Sequence, residues 1–133
     1  MSPRGILLAA GSSSRFDVEK RGANKLLHPL SDGMPVVLAS ARNLLAALPG
    51  SLAVVRPGRP ELEALLREAG CEVTVCERAD EGMGLSLAHA IAASRDAQGW
   101  VVALADMPFI RPATIQSVAA TLQEGAVIAA PLL

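Results

Sequence analysis

Three short stretches hold residue types that can manage phosphate groups. They are Gly11-Ser12-Ser13-Ser14-Arg15, Glu81-Gly82-Met83-Gly84-Leu85-Ser86 and Asp106-Met107-Pro108. The first leaves an apolar run through a glycine into small polar residues, so backbone N–H groups there can turn toward an anion unobstructed. Arg15 can fork onto phosphate oxygens, and Lys20 or Lys25 can add a compact positive charge. The plainer alternative for this stretch is a serine turn beside a solvated basic loop. The second stretch is a GxG followed by a helix start, where a helix N-terminus and the Ser86 hydroxyl suit an anion or a polar base edge. Its alternative is a turn with a capping contact. Asp106 directly follows Val101-Val102-Ala103-Leu104-Ala105. A carboxylate there either caps a turn or holds a divalent cation together with waters and substrate phosphates, as Mg2+ prefers, and the metal reading is favoured.

The remaining reactive side chains form no catalytic pattern. His28 and His89 are isolated and lack metal-ligand spacing. Asp80 and Glu81 are adjacent acids expected to face solvent rather than to work as an acid/base pair. Cys71 and Cys76 lie five residues apart on one expected strand. That spacing matches neither a CxxC redox pair nor a zinc knuckle, so two buried thiols are expected. No Ser-His-Asp or Cys-His arrangement is visible.

The elements that must position the three stretches follow from apolar runs and their punctuation. Gly5 to Ala10, Ser51 to Arg56, Glu72 to Cys76, Trp100 to Ala105 and Ala126 to Ala130 read as strands. Between them, Pro35 to Leu48, Pro60 to Ala69, Gly84 to Arg95 and Pro112 to Leu122 carry apolar residues at helical spacing, with Pro near the starts and Gly70 after the second. Strands alternating with helices of about 10–15 residues predict βαβ units, hence a parallel sheet covered by helices on both faces. In such a sheet ligands bind beyond the carboxyl ends of the strands, where all three stretches fall. One long irregular segment, Ser12 to about Met34, is of the kind that is usually functional or mobile.

Composition narrows the classes. The chain has 133 residues, net charge −1, 51% hydrophobic and 2% aromatic residues. This suits one globular domain and excludes a disordered or collagenous chain. Its basic side chains are ten Arg and two Lys, and both lysines fall in the long loop. The even charge balance and the three aromatics, Phe16, Trp100 and Phe109, argue against a nucleic-acid partner. No apolar stretch reaches the ~18 to 20 residues of a membrane helix, so no membrane partner and a cytoplasmic location are expected.

Leu7-Leu8-Ala9-Ala10-Gly11-Ser12-Ser13-Ser14-Arg15-Phe16, a lysine followed by Leu-Leu and Pro-Leu, and Ala103-Leu104-Ala105-Asp106-Met107-Pro108-Phe109-Ile110 together resemble the MobA-like nucleotidyltransferases. The LAAG turn and the GMGxSL segment look like the molybdenum cofactor cytidylyltransferase branch. The resemblance covers essentially the whole chain. It implies a Rossmann-like three-layer α/β sandwich with a mostly parallel sheet. It also implies transfer of CMP from CTP, with Mg2+, to the terminal phosphate of molybdopterin or a similar acceptor, releasing pyrophosphate. A molybdoenzyme or its chaperone would receive the product.

Residue by residue, the resemblance assigns nucleotide binding to Ala9, Ala10, Gly11, Ser12, Ser13, Arg15, Lys25, Gly82, Met83, Gly84 and Ser86. It assigns phosphate neutralisation to Arg15 and Lys25, and the metal to Asp106. The family pattern Arg-x-Gly-x-x-Lys is altered here, since Asp17 occupies the glycine position. Gly22-Ala23-Asn24-Lys25 restores Gly-x-x-Lys, as if Asp17 to Arg21 were inserted, and Lys20 is the alternative phosphate contact. The family's later GHP-type segment is absent, so residues 1–133 are expected to be one nucleotide-binding domain lacking its C-terminal part. The alternatives are a guanylyl or sugar-phosphate nucleotidylyltransferase of the same fold, or a nucleotide-binding fragment that does not turn over. An NADP oxidoreductase, with Arg56 on a 2′-phosphate, lacks its GxGxxG after the first strand.

Overall fold

The opening apolar run folds as β1 (Arg4–Ala9), and its alternating side chains divide the core in two. Leu7 and Ala9 enter one apolar cluster, while Ile6, Leu8 and the following Ala10 enter the other. A strand buried on both faces needs cover on both sides, which the sequence's continuous apolar run signals. The computed structural model describes residues 3–10, 29–97, 99–107, 109–122 and 128–129.

After β1 come α1 (Val36–Ala47), β2 (Leu52–Val55), α2 (Pro60–Ala69), β3 (Glu72–Val75), α3 (Met83–Ala93), β4 (Trp100–Leu104), α4 (Pro112–Leu122) and β5 (Ile128–Ala129). A 3-10 turn at Ala79–Glu81 precedes α3. The strands form one sheet in the order β3-β2-β1-β4-β5, and every described pairing is parallel. The expected α/β architecture is therefore present, with helix and strand limits within about two residues of those the sequence marks. Among the described residues no helix is long and apolar enough to cross a membrane.

Helices α1, α2 and α4 cover one face. Val37, Ala41 and Leu44 of α1, Leu62 and Leu66 of α2, and Ile115 and Ala119 of α4 pack there against Leu7, Ala53, Val55, Val101 and Ala103. Helix α3 covers the other face through Ala90, Leu87 and Ile91, against Ile6, Leu8, Leu52 and Val54. Leu44 is fully buried at the centre of the first layer, and truncating such a leucine to alanine costs about 2–5 kcal/mol. Helix α2 shows how local chemistry sets the boundaries. Pro60 opens it, Glu61 and Glu63 lie in its first turn, and Arg67 lies in its last. This charge order complements the helix dipole. Gly70 closes it in the left-handed conformation at φ 111°, donating its N–H to the Arg67 carbonyl oxygen.

The amino ends of the strands are tied by Arg4. Its Nε donates to the Gly50 carbonyl oxygen at 2.8 Å, and its terminal nitrogen pairs with Glu72 at the start of β3. Gly5 lies so close to Ser51 that a Cβ would overlap the Ser51 hydroxyl. That hydroxyl donates to the Leu48 carbonyl oxygen at 2.6 Å, so it cannot swing away freely. Cys71 and Cys76, which flank β3, are both buried free thiols, one in each apolar cluster, as the five-residue spacing predicts.

Candidate functional site

The sheet order creates a switch point. From β1 the chain winds outward through β2 to β3, then returns across to β4 on the other side of β1. In open sheets of this kind the usual ligand position is the crevice beyond the carboxyl ends of the strands at such a point.

Register fixes which residues meet at that crevice. Leu8 pairs with Leu104 and Ala9 pairs with Val55. The Ala105 N–H donates to the Leu8 carbonyl oxygen at 3.1 Å, extending the β1–β4 ladder past β4 itself. Asp106 follows one residue later in the turn, after the strand that neighbours the one ending before Ala10. On the other side of β1, Arg56 stands one residue past β2, level with the same Ala10. Next to it, Cys76 donates its N–H to the Val55 carbonyl oxygen at 2.9 Å. Asp106 is exposed, whereas Ala9 and Ala10 are buried. A carboxylate thus borders a closed apolar floor.

The turn carrying Asp106 is held from three directions. Besides the Ala105 N–H, the Ala105 carbonyl oxygen accepts a 2.7 Å hydrogen bond from Ser40 Oγ on α1. Met107 donates its N–H to the Leu104 carbonyl oxygen at 3.2 Å. Phe109 is 80% exposed, so Met107 and Ile110, which pack into the core, anchor the loop instead. Among the described residues no group of three or more His, Cys, Asp or Glu side chains is assembled. A carboxylate outside any such group does not suit a closed zinc site, but it suits a hard cation that keeps waters and takes further oxygens from a bound phosphate chain.

The second stretch converges on the same edge. Cys76, at the end of β3, places its Sγ 3.9 Å from the Leu85 carbonyl oxygen in the first turn of α3. Gly82 enters α3 at φ 126° and ψ 161°, a backbone region open in practice only to glycine. Gly84 has no such constraint, and a Cβ there would meet nothing within 4 Å. Met83 is the first residue of α3. Ser86 is 2% exposed, and among the described residues its hydroxyl has no hydrogen-bond partner. A buried hydroxyl left unpaired is costly unless a ligand or water completes it. Its place on the first turn of a helix whose N–H groups face the edge suits a polar or anionic ligand group.

The Arg78 guanidinium braces the approach to this helix, donating to the two Glu81 oxygens at 2.7 and 2.8 Å. That hydrogen bond holds the Glu81 carboxyl below its ordinary range and raises the Arg78 value. Glu81 is exposed and engaged with arginine, which agrees with its exclusion as half of an acid/base pair. His89 is likewise structural, with Nε2 2.8 Å from Thr74 Oγ1. Gly11, Ser12, Ser13, Arg15, Lys20, Lys25 and His28 lie outside the described residues. Of the long segment expected to be irregular, Pro29 to Met34 is described. It forms a tight turn in which Leu30 donates to the Met34 carbonyl oxygen at 2.8 Å and Pro29 bridges to Pro35.

Two features at this site escape sequence reasoning. Ser40 was hidden within the apolar stripe of α1, and the Arg78–Glu81 brace shows only as an i, i+3 charge spacing.

Known proteins resemble the chain along nearly its whole length. A nucleotidyl transferase from Methanothermobacter thermautotrophicus superposes with a TM-score of 0.77 at 26% identity, covering 90% of this chain and 57% of that one. A Mycobacterium tuberculosis protein solved as a complex with manganese gives 0.72 at 25% identity, covering 93% and 61%. The bifunctional protein GlmU of Xanthobacter autotrophicus is 31% identical over 98% of this chain, which spans 30% of that protein. The chain thus spans less than two thirds of each of these relatives. Residues 5–132 match the family described as the MobA-like NTP transferase domain, and the chain belongs to that family.

Proposed function

We propose that this chain is a metal-dependent nucleotidyltransferase that moves CMP from CTP onto the terminal phosphate of molybdopterin or a closely similar acceptor. What supports the reading is that Ala10, Asp106 and the Gly82 to Ser86 helix start each follow the carboxyl end of a strand of one parallel sheet, and that among the described residues the buried Ser86 hydroxyl has no partner. Family membership supports nucleotidyl transfer. The choice of CTP and of a molybdopterin acceptor rests on the LAAG turn and the GMGxSL segment.

In this reading Ala9 to Ser13 bind the triphosphate and base, and the first turn of α3 adds its N–H groups with the Ser86 hydroxyl. Asp106 would hold Mg2+, which would supply charge neutralisation and Lewis-acid polarisation to the bound phosphates. Arg15 and Lys25 neutralise the charge that grows on the pyrophosphate leaving group. The acceptor phosphate oxygen attacks the α-phosphorus in line as the bond to the β-phosphate oxygen breaks. This chemistry depends on positioning and electrostatics and requires no covalent enzyme intermediate.

The test is pyrophosphate release with Mg2+, the phosphorylated acceptor and either CTP or GTP. Release with CTP and acceptor together supports the reading. A preference for GTP would overturn the cytidylyl assignment, and nucleotide binding without release in any combination would reduce the chain to a nucleotide-binding module.

A further inference from the structure

The geometry around the β4 carboxyl end points to Ser40 as a positioning residue for Asp106. This inference rests on the reading of Asp106 as the metal-holding carboxylate. Ser40 lies on α1, whose buried stripe is otherwise Val37, Ala41 and Leu44, and it is only 4% exposed. A serine in that stripe exchanges apolar cover for a hydroxyl that must be satisfied. Ser40 Oγ lies 3.1 Å from the Val36 carbonyl oxygen of its own helix and 2.7 Å from the Ala105 carbonyl oxygen. A hydroxyl has one proton, and the shorter contact goes to the strand end. The helix bond alone would satisfy the group, so the reach across 65 residues of sequence to Ala105 does something further.

What it does follows from the peptide it grips. The Ala105 carbonyl belongs to the peptide unit that joins Ala105 to Asp106, so a bond to its oxygen fixes the plane from which the Asp106 Cα projects. The Ala105 N–H is already held by Leu8 on β1 at 3.1 Å. Helix α1 and strand β1 therefore clamp consecutive peptide units from different layers. Rotation of the 105–106 peptide would swing the carboxylate along the sheet edge, and Ser40 opposes that rotation. Hydrogen-bonded supports of metal-holding carboxylates typically tune affinity about 10- to 100-fold.

The experiment titrates Mn2+, in the presence of CTP, into the full chain and follows free Mn2+ by electron paramagnetic resonance, which requires no turnover. Ser40→Ala is expected to weaken Mn2+ binding about 10-fold, with Ser40→Thr, which keeps the hydroxyl, restoring most of it. Ser94→Ala is the control for simple loss of stability. Ser94 is also fully buried and bonded on both sides, to the Ala90 carbonyl oxygen at 2.7 Å and from Trp100 Nε1 at 3.0 Å, but it lies at the opposite, amino edge of β4. It should lower the melting temperature and leave Mn2+ binding unchanged. If Ser40→Ala does not fold at the assay temperature, Ser40→Cys, a weaker donor of similar shape, takes its place with the same direction expected. Asp106→Asn separates the two failures. Lost binding in Asp106→Asn with wild-type binding in the Ser40 variants overturns the positioning role alone, whereas wild-type binding in Asp106→Asn overturns the metal reading and the role that rests on it.

Discussion

The Ala105 amide donates to the Leu8 carbonyl oxygen at 3.1 Å, and this bond carries the β1–β4 pairing beyond the last residue of β4. It sets the start of the turn that carries Asp106 beside the end of β1, where the chain leaves for the serine-rich stretch.

Asp106 is exposed at that point and adds no packing to the core. Surface substitutions of this kind usually change stability by no more than about 0.5 kcal/mol. Asp106→Ala should therefore abolish metal-dependent pyrophosphate release while urea unfolding midpoints stay at the wild-type value. A variant that unfolds early would mean the carboxylate is a structural cap, and one that keeps its turnover would remove Asp106 from the mechanism.

Gly82 offers a test of backbone geometry. At φ 126° and ψ 161° any side chain is strained, and such positions typically cost about 1–3 kcal/mol. Gly82→Ala should lose that much stability in denaturant titrations and also bind CTP more weakly, because relaxation of the turn shifts the first turn of α3. Gly84→Ala meets no described neighbour and should keep wild-type stability. Equal losses at the two positions would refute the conformational distinction.

The contrast between these glycines shows what the sequence exposes and what it hides. The elements and the two-sided cover of the sheet are legible because they rest on local signals: the unbroken apolar run of β1, the prolines that open α2 and α4, and Gly70 closing α2. That Asp106 and the Gly82 helix start both follow carboxyl ends of strands in one sheet comes from topology alone. GxG spacing, however, does not say which glycine adopts a positive φ. Nor does a serine between two alanines announce that its hydroxyl will meet the Ala105 carbonyl, since that contact depends on how α1 lies across β4. Long-range hydrogen bonds to backbone leave no periodicity to read.

Cys71 gives a pH signature. Burial in the apolar layer pushes its thiol from 9.0 up to about 11. Below pH 9 the thiol is protonated in both folded and unfolded chains. Between 9 and about 11 the unfolded chain releases its proton first, so unfolding becomes more favourable as pH rises. Stability should fall across that window and level off above it. The chain contains no tyrosine, so no phenol titrates in the same window. Cys71→Ala, compared with wild type by chemical denaturation at pH 8 and pH 10.5, should show a smaller decline. Parallel declines would mean that the thiol does not report on folding.

Ser86 makes the sharpest distinction between a structural and a ligand-binding role. Its hydroxyl is buried and, among the described residues, unpaired. In the free protein, removing an unsatisfied polar atom is neutral or stabilising, whereas a net hydrogen bond to a ligand contributes about 0.5–1.5 kcal/mol, or roughly 2- to 10-fold in affinity. Ser86→Ala should therefore melt at or above the wild-type temperature while binding Mg-CTP a few-fold more weakly by calorimetry. Most substitutions that weaken binding also loosen the fold, so opposite signs in one variant are informative. A lower melting temperature with unchanged CTP affinity would identify the hydroxyl as a packing element and leave the helix start without a ligand-facing side chain.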